Sequence, residues 1–309
     1  MIATIPTVAS RGGHPTVALA MLEARRGVRS VWLWVGVAAA TWLVVSAGDG
    51  AWQADTYQRL QSASMPIALA ILVIGLNVGG RDHHNDRPPL AEDAALDADP
   101  RAAGRLLGMA APCAVGALWA DAMFVFVRAG GGMWVGDEPG RTDNAVYSVA
   151  EMLQPLLLFA VAATAGIALG RACRHRAPLI VGALGFSLFG MVSWAFQSAP
   201  MRYVTPIQTQ PIEVYIGPAG LDPLTLPAGW LLSSPDQYEA YWARVIVHVP
   251  MAAWHDVYLL GLALLCAGLA VRRRRGRWLV AAGALAVLVG IVAQVLVAPQ
   301  AIDLAQVIG

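Results

Sequence analysis

Residues 278–297 read WLVAAGALAVLVGIVAQVLV, twenty residues with no charged side chain and a single glutamine. A helix of about 20 apolar residues is long enough to cross the roughly 30 Å hydrocarbon core of a bilayer. The rest of the chain has the same bias, because 57% of its 309 residues are hydrophobic and only 13% are charged. Soluble domains carry about 25% charged residues. The stretch and the composition together predict a polytopic membrane protein.

Six other segments come close to the same length and apolarity. The seven predicted spans are residues 31–48, 64–80, 105–128, 149–170, 177–197, 252–271 and 278–297. The second span is the shortest, and we expect it to be partly re-entrant. The predicted fold class is therefore all-α, with about seven transmembrane helices.

The arginines predict how these spans are oriented. Sixteen of the 21 basic residues lie before the first span or in the connections that follow the second, fourth and sixth spans. Positive charge is retained on the cytoplasmic side of membrane proteins. The N-terminus is therefore predicted to be cytoplasmic and, after seven spans, the C-terminus extracellular.

All of the basic residues are arginine, and the chain has no lysine. A Walker A loop needs a lysine to reach the nucleotide phosphates, and a Schiff-base enzyme needs a lysine amine. The sequence also lacks an HExxH or CxxC motif and a Ser–His–Asp arrangement. We therefore expect no catalytic residues and no cofactor in this chain, so that any ATP and Mg²⁺ would bind to a partner subunit. A formal net charge of +1 gives no indication of nucleic-acid binding.

Residues 1–30 form the predicted cytoplasmic N-terminus. Apolar residues recur there at helical spacing: Val17, Ala20, Met21, Ala24 and Val28. Glu23 and three arginines lie off that apolar stripe. This pattern is typical of an amphipathic helix that lies in the membrane interface among anionic headgroups. A simple positively charged flank without a further role is the alternative.

Residues 198–250 form the largest segment outside the spans and are predicted to be an extracellular cap. They contain eight of the 19 prolines. Ser234, Pro235 and Gln237 match the start of a capped helix. We therefore expect a short helix after Ser234, followed by residues 251–309 with spans six and seven and the extracellular C-terminus.

Four acidic or histidine residues fall within or at the ends of predicted spans: Asp121, Glu151, His255 and Asp256. A charged side chain at the centre of a bilayer costs at least about 2.5–3.5 kcal/mol, so such residues usually face a cavity or a partner. They are candidates for the lining of a translocation pathway. The alternative is that they are hydrogen-bonded packing residues or side chains that reach interfacial water. His255 and Asp256 are adjacent and cannot share one helix face.

The loop at residues 81–104 lies between spans two and three, within the membrane domain of residues 31–197. It begins RDHHNDRPPLAEDAALDADP. His83 and His84 lack the spacing of helical metal ligands and have no third nitrogen or sulfur ligand nearby, so we predict no metal site. Pro88 and Pro89 can start a helix, acidic residues suit its N-terminal end, and Pro100 is predicted to end it. This pattern indicates a short cytoplasmic helix that docks another protein.

In order, these parts resemble the type-2 permeases of ATP-binding-cassette (ABC) exporters, particularly those of high-GC bacteria. The resemblance rests on HPTVALAMLEARR at residues 14–26, PRAAGRLL at residues 100–107 and AWHDVYLLGL at residues 253–262. In that family, the loop between spans two and three forms a coupling helix that fits a groove on the ATPase subunit. The resemblance assigns this role to Leu90, Glu92, Asp93, Leu96, Asp97, Pro100 and Arg101.

The resemblance also implies the partners and the location. They are two copies of an ABC ATPase subunit, a second permease that is identical or homologous, and the bacterial plasma membrane. The family core has six spans, so the seventh is expected to be an additional helix at the rim. Two alternatives remain open: a sensor or assembly scaffold whose cytoplasmic loop docks a soluble partner, and an integral membrane enzyme.

The predicted orientation can be tested with single cysteines. A cysteine in place of Gly217 should react with a membrane-impermeant thiol reagent in intact cells, because it lies in the extracellular segment. A cysteine in place of Ala91 should react only after the membrane is permeabilised. Labelling of Ala91→Cys in intact cells would contradict the orientation.

Overall fold

A computed structural model describes residues 14–46, 49–82, 98–129, 149–173, 201–207, 212–217, 235–237, 242–246, 249–271 and 274–298, and isolated positions between 181 and 192. The helices are α1 (Pro15–Val28), α2 (Val31–Val45), α3 (Asp49–Gly79), α4 (Ala98–Gly108), α5 (Ala110–Ala129), α6 (Val149–Ala172), α7 (Met201–Val204), α8 (Val249–Val271) and α9 (Arg274–Val297). A 3₁₀ turn (Gly80–Asp82) follows α3.

Several of these helices are suited to a membrane. Among the described residues, five helices are long and apolar enough to cross a bilayer, and α1 with α2 makes a sixth if this pair, bent by 48°, counts as one span. The prediction of a helical membrane protein is thus confirmed. Most of residues 177–197 lie outside the described part, although positions 181–182, 185, 188–189 and 192 are helical. The count of seven spans stays a prediction.

The helices α3, α6 and α8 form a row in which all three run in the same direction. Gly75 of α3 lies against Gly166 of α6, and further along both helices Gly80 lies against Gly170. Parallel neighbours of this kind require the chain to return across the membrane between them. The row therefore fits a chain that crosses the bilayer repeatedly.

The other long helices run in the opposite direction. In α9, Gly290 contacts Tyr258 near the start of α8, and Gly276 contacts Gly268 near its end. On the other side of the row, α1 and α2 run alongside α4 and α5, with contacts from Gly104 to Thr16 and from Trp119 to Thr41. The ends that carry Arg81, Arg171 and Arg277 consequently lie on one side, here called the arginine-rich end.

Glycines permit the close contact between α3 and α6. Each helix carries a GxxxG motif, Gly75 with Gly79 and Gly166 with Gly170. A Cβ atom at Gly166 would lie 2.5 Å from the carbonyl oxygen of Leu72 and 3.0 Å from Cα of Gly75. Small residues at this spacing let membrane helices approach until their backbones touch.

The pair α8 and α9 uses glycines at a seven-residue spacing. Gly276, Gly283 and Gly290 of α9 face Gly261 and Gly268 of α8. A Cβ atom at Gly283 would lie 2.5 Å from the backbone nitrogen of Leu265, so no larger residue fits without a shift of the helices. The last span is therefore closely packed against α8 along its length.

The largest apolar core lies where α2 and α5 cover α3 and α6. Its fully buried side chains include Leu33, Ile67, Ile71 and Phe159. Gly116 of α5 lets the ring of Phe159 come close. The core thus joins four helices on one side of the row.

Two predictions about local structure were wrong. Residues 64–80 are not re-entrant, because they belong to α3, a continuous 31-residue helix that contains Pro66. The helix expected after Ser234 is replaced by strands β2 (Pro235–Gln237) and β3 (Trp242–Ile246), which pair antiparallel with each other, and β3 also pairs antiparallel with β1 (Ile212–Gly217). Trp, Val and Ile favour strands, and pairing with β1 supplies the hydrogen bonds that a short isolated helix would have to form alone.

The expected end of the coupling helix was also wrong. Pro100 lies in the first turn of α4 instead of ending a helix, and Arg101 and Arg105 lie on the same helix. Proline is tolerated in a first turn because its missing N–H has no intrahelical partner there. The remaining predicted coupling residues, 90–97, lie outside the described residues.

The glycine contact between α3 and α6 gives a direct test. The Gly166→Leu variant should unfold at a lower temperature in detergent, with a loss on the order of 1–3 kcal/mol or more from overpacking. Gly182→Leu is the matched control, because a Cβ atom there would have nothing within 4 Å. Equal melting temperatures for the two variants, measured by intrinsic fluorescence, would contradict the packing.

Candidate functional site

Polar side chains gather at the end of the bundle opposite the arginine-rich end. We call them the polar cluster: Glu151, Gln154, His255, Asp256, Tyr258 and Gln294. The first two lie in the first two turns of α6, the next three in the first turns of α8 and the last in the final turn of α9. Since α6 and α8 start at this end and α9 finishes there, the cluster joins three helices.

His255 has no solvent-exposed surface, and neither do Gln154 and Gln294. Its Nδ1 atom lies 2.9 Å from Oε1 of Gln294, and its Nε2 atom contacts the carbonyl oxygen of Ile207. A neutral imidazole carries one N–H and donates to one of these oxygens at a time. Full satisfaction of both contacts requires either a protonated ring or the reversed orientation of the Gln294 amide.

The same helices hold the backbone of residues 201–207. The hydroxyl of Tyr258 donates to the carbonyl of Val204 at 2.5 Å. The amide of Gln294 donates to the carbonyls of Gly290 at 3.1 Å and of Tyr203 at 3.4 Å. The carbonyls of Tyr203 and Val204 are at the end of α7, where a helix leaves its carbonyls without intrahelical partners. The side chains of α8 and α9 therefore cap them. We refer to this arrangement as the 201–207 clamp.

Thr205 lies in the clamp and is almost fully buried. Its hydroxyl oxygen, Oγ1, has no hydrogen-bond partner among the described residues. Three carbonyls of the same segment are bonded to α8 or α9. The segment is therefore fixed through its backbone.

The two acids of the polar cluster lie on neighbouring helices, Glu151 on α6 and Asp256 on α8. Glu151 is buried, and the two carboxylates are close enough to interact electrostatically. Gln154 holds the same two helices together by donating to the carbonyl of Ala252 at 3.5 Å. The Oδ1 atom of Asp256 is buried and has no hydrogen-bond partner among the described residues. Two ionised carboxylates repel, and a proton or a cationic group of a bound molecule would relieve that repulsion.

Three of the four predicted pathway residues thus come together, and Asp121 does not. Glu151, His255 and Asp256 share the polar cluster, and the last two point to different neighbours, as their adjacency predicted. The side chain of Asp121 is exposed on the surface of α5, beside the exposed Leu118 and Val125. A polar cavity or a partner helix at this surface stays a prediction.

A second group of contacts lies at the arginine-rich end. Glu23 is buried between α1 and the end of α3, where its Oε1 atom accepts a hydrogen bond from Arg81 and lies 3.7 Å from Arg26. Gly104 and Gly108 of α4 lie against the backbone of α1. The helix predicted in the N-terminal segment is present as α1, and it packs on α4 with Val17 and Met21 exposed. Its place in the membrane interface stays a prediction.

The described residues contain no group of three or more His, Cys, Asp or Glu side chains that could hold a metal ion. His83 and His84 lie outside the described residues. The three cysteines, Cys113, Cys173 and Cys266, are free.

Several site residues were not predicted. Gln294 is the only polar side chain in residues 278–297, and that exception could have identified it. Gln154 and Tyr258 lie one turn from predicted residues. The pair of Glu23 and Arg81 is 58 residues apart in sequence, and no local pattern links the two.

The clamp can be tested at Gln294. The Gln294→Leu variant removes the partners of His255 and of the Tyr203 carbonyl, which should cost about 1–3 kcal/mol and increase amide exchange at residues 203–207. Hydrogen–deuterium exchange measured by mass spectrometry reports this change. Thr164→Val is the control, because the Thr164 hydroxyl bonds only within its own helix. Unchanged exchange in Gln294→Leu would rule out the clamp.

Comparison with known proteins gives no match: no family model, no curated protein and no solved structure is similar to this chain.

Proposed function

We propose that this chain is the permease subunit of an ABC transporter, and specifically of an exporter. It would form the translocation pathway in the plasma membrane, with a second permease and two copies of a separate ATPase subunit. ATP and Mg²⁺ would bind to the ATPase, since a chain without lysine has no Walker A motif. The observation that carries the proposal is the attachment of both flanks of the loop at residues 83–97 to α1.

The described residues that flank the loop are held on each side by a different interaction. On the α3 side, Arg81 is hydrogen-bonded to the buried Glu23 of α1. On the α4 side, Gly104 lies against Thr16 and Gly108 against Glu23 and Ala20. A protein that binds the loop would therefore act on α1, α3 and α4 together through these flanks.

These three helices lead into the membrane. Helix α1 continues into α2 after a 48° bend, and α4 continues into α5 after a turn at Met109. A movement at the loop would be passed to α2, α3 and α5, which meet in the main apolar core. Packed elements of this kind transmit displacements because dense interiors deform little. This is the mechanical connection that a permease driven by an external ATPase needs.

The polar cluster would form the outer part of the pathway. Glu151 and Asp256 would offer negative charge to a substrate, and the 201–207 clamp would position the extracellular segment above them. Asp121, exposed on α5, would face the second permease. A sensor or scaffold would also need the attachment of the flanks of the loop to α1. It would not need Glu151 and Asp256 at the opposite end of the bundle.

The loop is the place to test the proposal. Leu90→Ala combined with Leu96→Ala should remove the apolar contact with the ATPase, a change on the order of 2–5 kcal/mol by analogy with buried leucines elsewhere. The variant should insert normally, lose the co-purifying ATPase and lose transport. ATPase co-purification and efflux from membrane vesicles are the measurements.

Two further variants separate the possible results. His83→Ala combined with His84→Ala should keep both ATPase binding and transport. Glu23→Gln should keep ATPase binding but weaken stimulation of ATP hydrolysis by substrate, since the loop would be attached less firmly to α1. Co-purification of a soluble partner that has no Walker A lysine would contradict the permease and favour the scaffold.

A further inference from the structure

A groove lies between α6, α8 and α9 at the arginine-rich end. Its volume is about 840 Å³, within the range of about 300–1,000 Å³ that ligand pockets have. Small apolar residues form most of its wall, including Ala165, Ala168, Cys266, Ala281 and Ala284. Among the described residues that line it, Arg277 is the charged one, and its side chain is exposed.

The packing of the helices explains why the groove is there. Helix α9 is held close to α8 by the paired glycines, and α8 packs on α6, whereas α6 and α9 have almost no direct contact. The space between α6 and α9 is therefore open, with α6 and α9 as the walls of the groove and α8 as its floor. Alanines on both sides keep it wide, so the groove follows from the fold and not from loose packing of α8 and α9.

The length of the groove fits within one leaflet of a bilayer. Arg277 and the exposed Trp278 lie in the first turn of α9, and arginine and tryptophan at a helix end are typical of the headgroup level. The lining continues along α9 from Arg277 to Ala284, a distance of about 10 Å at 1.5 Å per residue. Along α6 it runs in the same direction from Ala172 to Ala165. A positive charge at the mouth thus leads to an apolar channel that extends into the hydrocarbon core.

We propose that this groove binds an anionic phospholipid, with one acyl chain along the alanines and the phosphate at Arg277. The positive charge of Arg277 at the mouth of the groove favours an anionic headgroup. Basic pockets between membrane helices bind anionic lipid headgroups in the same way. The apolar wall selects a chain over a free phosphate. The site does not depend on the transport function, so either proposal can fail without the other.

Cys266 lines the groove and reports its occupancy. In delipidated protein in detergent, phosphatidylglycerol should slow the reaction of Cys266 with N-ethylmaleimide by about tenfold at a lipid concentration ten times the dissociation constant. A cysteine introduced at Ala282, which is exposed outside the groove on α9, should react at an unchanged rate. Labelling is read at each cysteine by peptide mass spectrometry.

The two parts of the ligand are tested separately. Arg277→Gln should raise the phosphatidylglycerol concentration needed for protection by about fivefold, and the response to phosphatidylcholine with the same acyl chains should not change. Arg29→Gln, at another exposed arginine, is the matched control. Glycerol phosphate alone should give no protection.

Native mass spectrometry tests the apolar part. Ala281→Trp should fill the groove and abolish bound phosphatidylglycerol, and Ala282→Trp should retain it. The proposal is overturned if both tryptophan variants bind the lipid equally. It is also overturned if Cys266 reacts slowly without lipid and does not respond to phosphatidylglycerol, because another part of the protein would then fill the groove.

Discussion

Close contact between helix backbones at glycines is the constraint on which this structure depends. In a bilayer, apolar side chains gain little by leaving lipid for protein, so association relies on packing and hydrogen bonds. Gly75 and Gly166 bring α3 to α6, and Gly268 and Gly276 bring α8 to α9. Because these contacts fix the row of helices, they also fix which side chains meet at its two ends.

The two ends of the row have different chemistry. At the arginine-rich end, the buried Glu23 and Arg81 join α1 to α3. At the opposite end, His255 and Gln294 hold the backbone of residues 201–207. Burying a polar group is costly unless it is hydrogen-bonded, and these hydrogen bonds make each end a place where several segments are tied together.

The last helix, α9, has a larger role than a rim position suggests. Its side toward α8 carries the glycines, and its final turn carries Gln294 of the clamp. Its first turns form one wall of the groove that contains Arg277. The helix is therefore part of the 201–207 clamp and of the proposed lipid site, and its surface away from α8, which includes Leu285 and Leu296, is exposed.

The sequence by itself determined the membrane character, the helical class and the positions of most spans, since apolar length is a local property. It also identified Glu151, His255 and Asp256, because ionisable residues stand out in apolar segments. The sequence could not identify the partners of these residues, the pair of Glu23 and Arg81, or the strands at residues 212–246. Those depend on the rotation and crossing of helices and on pairing between distant segments. Only the tertiary structure decided them, because the energies that set a helix rotation come from contacts far apart in the chain.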